Sequence, residues 1–238
     1  MDPNELAERA VLVRLFQRFP DSFVWIGGSV LQLVHHSSRT SFDLDLAPTG
    51  EPPPVQDVAS VISGALDECN SLVGGSFRLD QTEADGAFAR FVIRENGRDA
   101  FTVDFVRMGG GSLSGTYTTL LSSPLGSATV VVPNDSTLLA QKVRTFLVRT
   151  YPKPGDLYDI WFLRDRGVRL SQTEREALAD SLAFAEVDRE EALGRLAKLA
   201  RVTWLGALER AGVKGLTAAT AATLLQAARE IIEEVLPG

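Results

Sequence analysis

The sequence changes character once, at Pro133, and that change limits what the chain can fold into. Before it, apolar runs of strand length are interspersed with runs at helical spacing; after it, every segment reads as helix. Residues 4–19 (NELAERAVLVRLFQRF) place apolar side chains at helical spacing, and FVWI at 23–26 reads as a short buried strand. Gly27-Gly28 breaks that strand, and a helix, SVLQLVHH, departs from it. SFDLDLAP is a second strand, closed by Pro48, and the Pro-rich GEPPP precedes a helix over residues 55–72. SFRLD, AFARFVIREN and DAFTVDFVRM are strand-like, with Gly97 as a hairpin signal, and a Gly/Ser/Thr-rich loop, GGGSLSGTYTT, leads into the strand SATVVV. Asn134, Asp135 and Ser136 are candidate N-caps for the first of the later helices. Strands with helices, followed by helices alone, predict an α+β chain: a mixed-sheet domain over 1–132 and a helical domain over 133–238.

Asp43 and Asp45 interrupt the apolar pattern of the second strand, flanked by Phe42, Leu44 and Leu46. Aspartates two apart on a strand share a face, and like charges that close raise each other's pKa unless a cation lies between them. The pattern asks for a metal. Upstream, the amides and the Ser29 hydroxyl at a helix start suit phosphate oxygens. Hard oxygen ligands suit Mg²⁺, which takes one or two carboxylates plus phosphates. Each piece has a plainer reading. Gly27-Gly28 is also a strand-to-helix turn, the Asp pair is also strand-end turn chemistry, and Asp104 in FTVDFV also reads as an edge-strand solubility device.

Composition narrows the classes. The 238 residues, 45% apolar and 23% charged, are those of an ordinary globular protein. A single cysteine, Cys69, excludes an internal disulfide, and it has no nearby base to mark it as a nucleophile. The opening MDPNELAERA has no apolar core of a secretory signal, and no run reaches membrane-span length, so the expected location is cytoplasmic. The net charge of -7 resides wholly in residues 1–125, with 9 Lys/Arg against 16 Asp/Glu. A whole-protein basic footprint for nucleic acid is absent, but Lys142–Arg175 carries 8 basic against 4 acidic residues. His35 and His36 end a helix, where imidazoles favour the dipole, and no third histidine exists for a zinc site. GGGS at 109–112 lacks the lysine of a phosphate-binding loop and is read as a mobile loop.

A Gly-Ser at a helix start, then Asp-x-Asp on the next strand, then one Asp on a later strand resembles the nucleotidyltransferase superfamily. The resemblance implies a nucleotidyltransferase-type mixed sheet, phosphate held by Gly28 and Ser29, and two Mg²⁺ ions ligated by Asp43, Asp45 and Asp104. A second block, LLAQKVRTFLVRTYPKPGDLYDIWFL, sharpens this. Gly27, Gly28, Ser29 and Leu31, then Arg39, Ser41, Asp43 and Asp45, then Lys142, Arg149, Asp156 and Asp159 resemble the AbiEii/AbiGii-type nucleotidyltransferases, including the MenT-like toxins. The likeness runs over residues 23–165, and the last 70 residues match nothing named. It implies catalysis by Asp43, Asp45, Lys142 and Asp156, with the nucleotide held by Gly28, Ser29, Arg39, Lys142 and Arg149. It further implies transfer of a nucleoside monophosphate from an NTP to a tRNA 3′ end, and neutralisation by an antitoxin. If SFDLDL is one strand, Ser41 shares the face of Asp43 and a phosphoryl group on it would compete for Mg²⁺ and switch the enzyme off; the alternative is that Ser41 bonds local backbone in a loop-to-strand turn. Two rivals share some of the features: a small-molecule, aminoglycoside-type nucleotidyltransferase, and a non-catalytic binding module with a decayed site.

Helical geometry supplies further expectations. Leu139, Val143, Phe146 and Leu147 form an apolar stripe, and at about 100° per residue Lys142 and Arg149 lie together at its edge. A helix over Leu157–Leu163 is apolar nearly all round and therefore buried. Asp159 within it needs a partner, for which Arg149 is expected, and Asp156 also reads as the N-cap of that helix.

Overall fold

The structure, a computed structural model, describes residues 2–85, 88–106, 115–150, 153–200, 205–210, 212–213 and 217–236. The chain forms two compact units: Met1–Val30, Phe42–Met108 and Thr116–Val132 make one, and Leu31–Ser41, Gly109–Gly115 and Pro133–Gly238 the other.

The first unit begins with α1 (Pro3–Arg18), whose Pro3 sits where a missing N–H costs nothing. β1 (Phe23–Ile26) follows, and α2 (Gly28–Leu33) carries the chain towards the second unit. After β2 (Asp43–Pro48), α3 (Val55–Val73) is ended by Gly74, whose left-handed φ of 67° is cheap for glycine. β3 (Phe77–Asp85), β4 (Phe88–Glu95) and β5 (Arg98–Phe105) complete a sheet of order β1-β2-β5-β4-β3. The β4–β5 turn places Asn96 and Gly97 at φ of 51° and 77°, the two positive values of a type I′ hairpin turn. β2 and β5 pair in parallel, whereas β1–β2, β5–β4 and β4–β3 are antiparallel.

Alternation sorts the two faces of the sheet. Leu44, Leu46, Phe91, Ile93, Phe101, Val103 and Phe105 are buried on one, with the Phe105 ring 4.9 Å from Phe23 and 5.6 Å from Phe91. Helices α1 and α3 pack against each other in this unit, and α3 also packs on β3. Asp43, Asp45, Thr102, Asp104 and Arg90 occupy the other face. A separate hairpin, β6 (Thr116–Ser123) and β7 (Gly126–Pro133), packs on α1, where Gln17 Nε2 donates to the Ser127 carbonyl at 2.9 Å. The expected loop over 109–119 therefore becomes strand from Thr116, while GGGS lies outside the described residues.

The second unit is built from α4 (Asp135–Val148), α5 (Pro154–Asp165), α6 (Gln172–Phe184), α7 (Arg189–Ala200), α8 (Leu205–Arg210) and α9 (Ala218–Val235). Side chains fix the starts. Asn134 caps α4 by accepting from the Thr137 amide, Ser171 caps α6 through the Glu174 amide, and Thr217 with Thr220 forms a capping box on α9. Leu31–Ser41 groups with these helices because Ser38 Oγ bonds Tyr158 Oη at 2.9 Å and Arg39 reaches Asp159. The expected helix SVLQLVHH stops at Leu33, and His36 turns left-handed at φ 59°. No described helix is long and apolar enough to cross a membrane.

Candidate active site

The sequence-predicted residues fall into two clusters, one in each unit. In the first unit, the parallel register of β2 on β5 sets Asp43 opposite Thr102 and Asp45 opposite Asp104. The Thr102 hydroxyl lies 3.2 Å from Asp43 Oδ1 and 3.3 Å from Asp104 Oδ2, so a single donor serves both carboxylates. Asp45 is set against Gly27, where an added Cβ would collide with Asp45 Oδ2. Gly27 also has a φ of 88°, so a side chain there is excluded twice over. That close approach is the structural reason for the first glycine of the Gly-Gly-Ser turn.

Ser29 departs from the expectation that its hydroxyl faces phosphate. It is fully buried, and its Oγ accepts from Trp25 Nε1 at 2.9 Å. The hydroxyl thus ties the start of α2 to β1, and what this turn can offer an anion is backbone N–H rather than Ser29 Oγ. Ser41 lies ahead of β2, not within it; its amide donates to Gln32 Oε1 at 2.6 Å and the residue is only 7% exposed. The strand alternation that put its hydroxyl beside Asp43 therefore does not extend to it.

Asp104 brings in a residue the sequence pattern did not single out. Arg90 on β4 stands directly opposite it, and Nε and Nη2 donate to Asp104 Oδ1 and Oδ2 at 2.9 and 2.7 Å. This forked pairing holds the Arg90 guanidinium pKa above its ordinary value, with Asp43 and Glu83 adding to the effect. Arg90 was legible only as a polar residue on the same face as Val92, because sequence does not reveal register. Among the described residues, no set of three His, Cys, Asp or Glu side chains converges as a metal site. Asp43 and Asp45 have the hard-oxygen chemistry that Mg²⁺ requires, whereas Asp104 is bonded to Arg90 through both oxygens.

In the second unit, Arg39, Lys142, Arg149, Asp156 and Asp159 form one network. Asp159 is completely buried. Arg39 Nε and Nη2 donate to its two oxygens at 2.9 and 2.7 Å, and Lys142 Nζ is 2.7 Å from Oδ2. Burial disfavours the Arg39 charge, but Asp159 outweighs it and raises the guanidinium pKa. Asp156 accepts from Arg149 Nη1 at 2.8 Å and lies 3.7 Å from Lys142 Nζ.

The expected Arg149–Asp159 pair is therefore replaced by Arg39 and Lys142 on Asp159, with Arg149 on Asp156. The reason is local: α4 ends at Val148, and Arg149 is its extended C-cap (ψ 131°), which takes the side chain off the helix face. Nor is Asp156 the N-cap of α5. Lys153 holds that place and Pro154 opens the helix, leaving Asp156 inside the first turn, where its charge favours the dipole. Gly155 passes close to Arg39, where a Cβ would lie 3.2 Å from Nη1. Three cations against two carboxylates leave this cluster with one positive charge in excess, the sign a phosphate requires.

A mixed sheet with paired carboxylates on one face, beside a Gly-Gly-Ser turn, defines a nucleotidyltransferase fold. Residues 10–228 match the family described as "Nucleotidyl transferase AbiEii toxin, Type IV TA system", and the chain belongs to that family. No curated protein matches. Among solved structures, a protein from H. pylori described as a candidate nucleotidyltransferase is similar at 16% identity and TM-score 0.55, over 98% of this chain and 94% of that one. JHP933 from Helicobacter pylori is similar at 16% identity and TM-score 0.50, over 98% and 91%. At that identity the likeness is one of fold.

Proposed function

We propose that this nucleotidyltransferase moves a nucleoside monophosphate from an NTP to an acceptor, with Mg²⁺, and that the acceptor is a tRNA 3′ end. The observation that carries the reading is the Asp43–Thr102–Asp104 arrangement on β2 and β5, with Asp45 packed against Gly27. Bound by Asp43 and Asp45, a divalent ion would neutralise charge on the triphosphate and stabilise the attacking and leaving oxygens. The chain's own residues do the rest. Thr102 donates to Asp43 and fixes how that carboxylate is aimed. Gly27, by having no Cβ, leaves Asp45 its place, and the Gly28 turn offers amides to phosphate oxygens. Lys142, Arg39 and Arg149 supply positive charge for phosphate, held in place by Asp159 and Asp156. The excess of basic residues over Lys142–Arg175 supports a polyanionic acceptor such as tRNA. Family membership supports a cognate antitoxin as partner, and the protein is proposed to act in the cytoplasm.

Incubation with each labelled NTP, Mg²⁺ and total RNA tests the reading: label is expected in tRNA. Label confined to small molecules would favour the aminoglycoside-type activity instead. Asp43→Ala is expected to lower transfer by at least about a hundredfold while leaving the circular dichroism spectrum unchanged. Retention of more than a few per cent of wild-type transfer would remove Asp43 from the site.

A further inference from the structure

The carboxylate face contains a competitor for its own ligand. Asp45, Asp104, Arg90 and Glu83 lie in register across β2, β5, β4 and β3, so Arg90 is flanked by acids on both sides. It covers Asp104, whose side chain is 6% exposed, while its own side chain is 45% exposed. Of the two partners, Arg90 is the one free to leave. Asp104 sits on an inner strand, paired on both edges, whereas Arg90 can swing its guanidinium into solvent by side-chain rotation alone.

We propose that Arg90 is a positioning residue that competes with a divalent cation for Asp104. The proposal rests on the nucleotidyltransferase reading and extends it to the order in which the site fills. A doubly charged ion beside Asp43 and Asp45 repels the guanidinium and neutralises the carboxylates better than a single positive charge does. The released guanidinium keeps its planar fork, which suits paired phosphate oxygens better than any other side chain. An incoming triphosphate therefore gives Arg90 a second partner at the moment Asp104 becomes available. Filling of the third carboxylate is thereby coupled to arrival of the nucleotide.

The test is Mn²⁺ binding by the full chain without nucleotide, followed by calorimetry and electron paramagnetic resonance. Arg90→Met keeps the apolar stem and removes the competitor. It is expected to bind Mn²⁺ about tenfold more tightly than wild type, or to take an additional ion, and to show a larger Mn²⁺-dependent rise in unfolding temperature. Asp104→Asn combined with Arg90→Met should erase the gain. Arg90→Lys, which keeps the charge but loses the fork, should give a smaller gain and serves if the methionine variant fails to fold. Unchanged Mn²⁺ affinity and stoichiometry in the folded Arg90 variants would overturn the proposal. So would a gain that persists when Asp104→Asn is combined with Arg90→Met. Transfer by the wild-type protein is scored separately: transfer without the Mn²⁺ gain sinks only this inference, and absence of transfer sinks the nucleotidyltransferase reading.

Discussion

Glu8 on α1 and Asp159 on α5 are equally hidden, at 1% and 0% exposure, yet the chain treats them in opposite ways. Asp159 is held by Arg39 and Lys142, each 2.7 Å from Oδ2. Glu8 has no such partner: its Oε2 makes no hydrogen bond among the described residues, and Asn4 Oδ1, one turn earlier, makes none either. Burial, with Glu5 and Asp2 adding repulsion, raises the Glu8 pKa from 4.5 to about 8. A protonated Glu8 can donate where a carboxylate cannot. Depth alone therefore does not decide what a buried acid does; its partners do. In the second unit a buried acid organises cations, and in the first it lies on α1 as a near-neutral polar group.

The comparison can be broken first at Asp159. Asp159→Asn leaves Arg39 and Lys142 facing a neutral amide, and denaturant unfolding is expected to show a loss of about 3–5 kcal/mol. A loss near zero would mean that the network contributes little to holding α4 and α5. Glu8 comes next. Its folded pKa lies above its unfolded value, so its contribution to stability is fully present below pH 4.5 and is lost as pH rises through about 8. Wild-type stability is expected to fall by on the order of 3 kcal/mol between about pH 5 and pH 8 from this group, and Glu8→Gln should abolish that slope. An identical slope in both proteins would show that Glu8 is ionised at neutral pH. The smallest effect is expected at Asp99, an exposed acid paired with Arg94. Asp99→Ala should leave the urea midpoint unchanged, because water already solvates both partners.

What the sequence disclosed follows the range of each signal. α1, α3, β1, β2, β4 and β5 were legible because their periodicity is local, and Gly97 announced the turn between β4 and β5. β6 was hidden: only Leu121 is buried along it, so no alternation separates Thr116–Thr119 from a Thr-rich loop. The aspartates could be named in advance, but their surroundings could not. Arg90 reaches Asp104 through strand register, and Arg39 reaches Asp159 across 120 residues. Neither contact leaves a trace in neighbouring residues. The Arg149 pairing failed for a shorter-range reason, because the helix was extrapolated one residue past its end.

The parallel pairing of β2 with β5 also governs when the site can exist. Thr102 and Asp43 are 59 residues apart in the chain, and α3, β3 and β4 all intervene. Closing so long a loop is slow compared with forming a hairpin. On a ribosome, where synthesis proceeds from the N-terminus, Asp43 and Asp45 emerge well before the strand that sets Thr102 and Asp104 beside them. The proposed site is thus absent from the nascent chain until β5 has been made and inserted between β2 and β4.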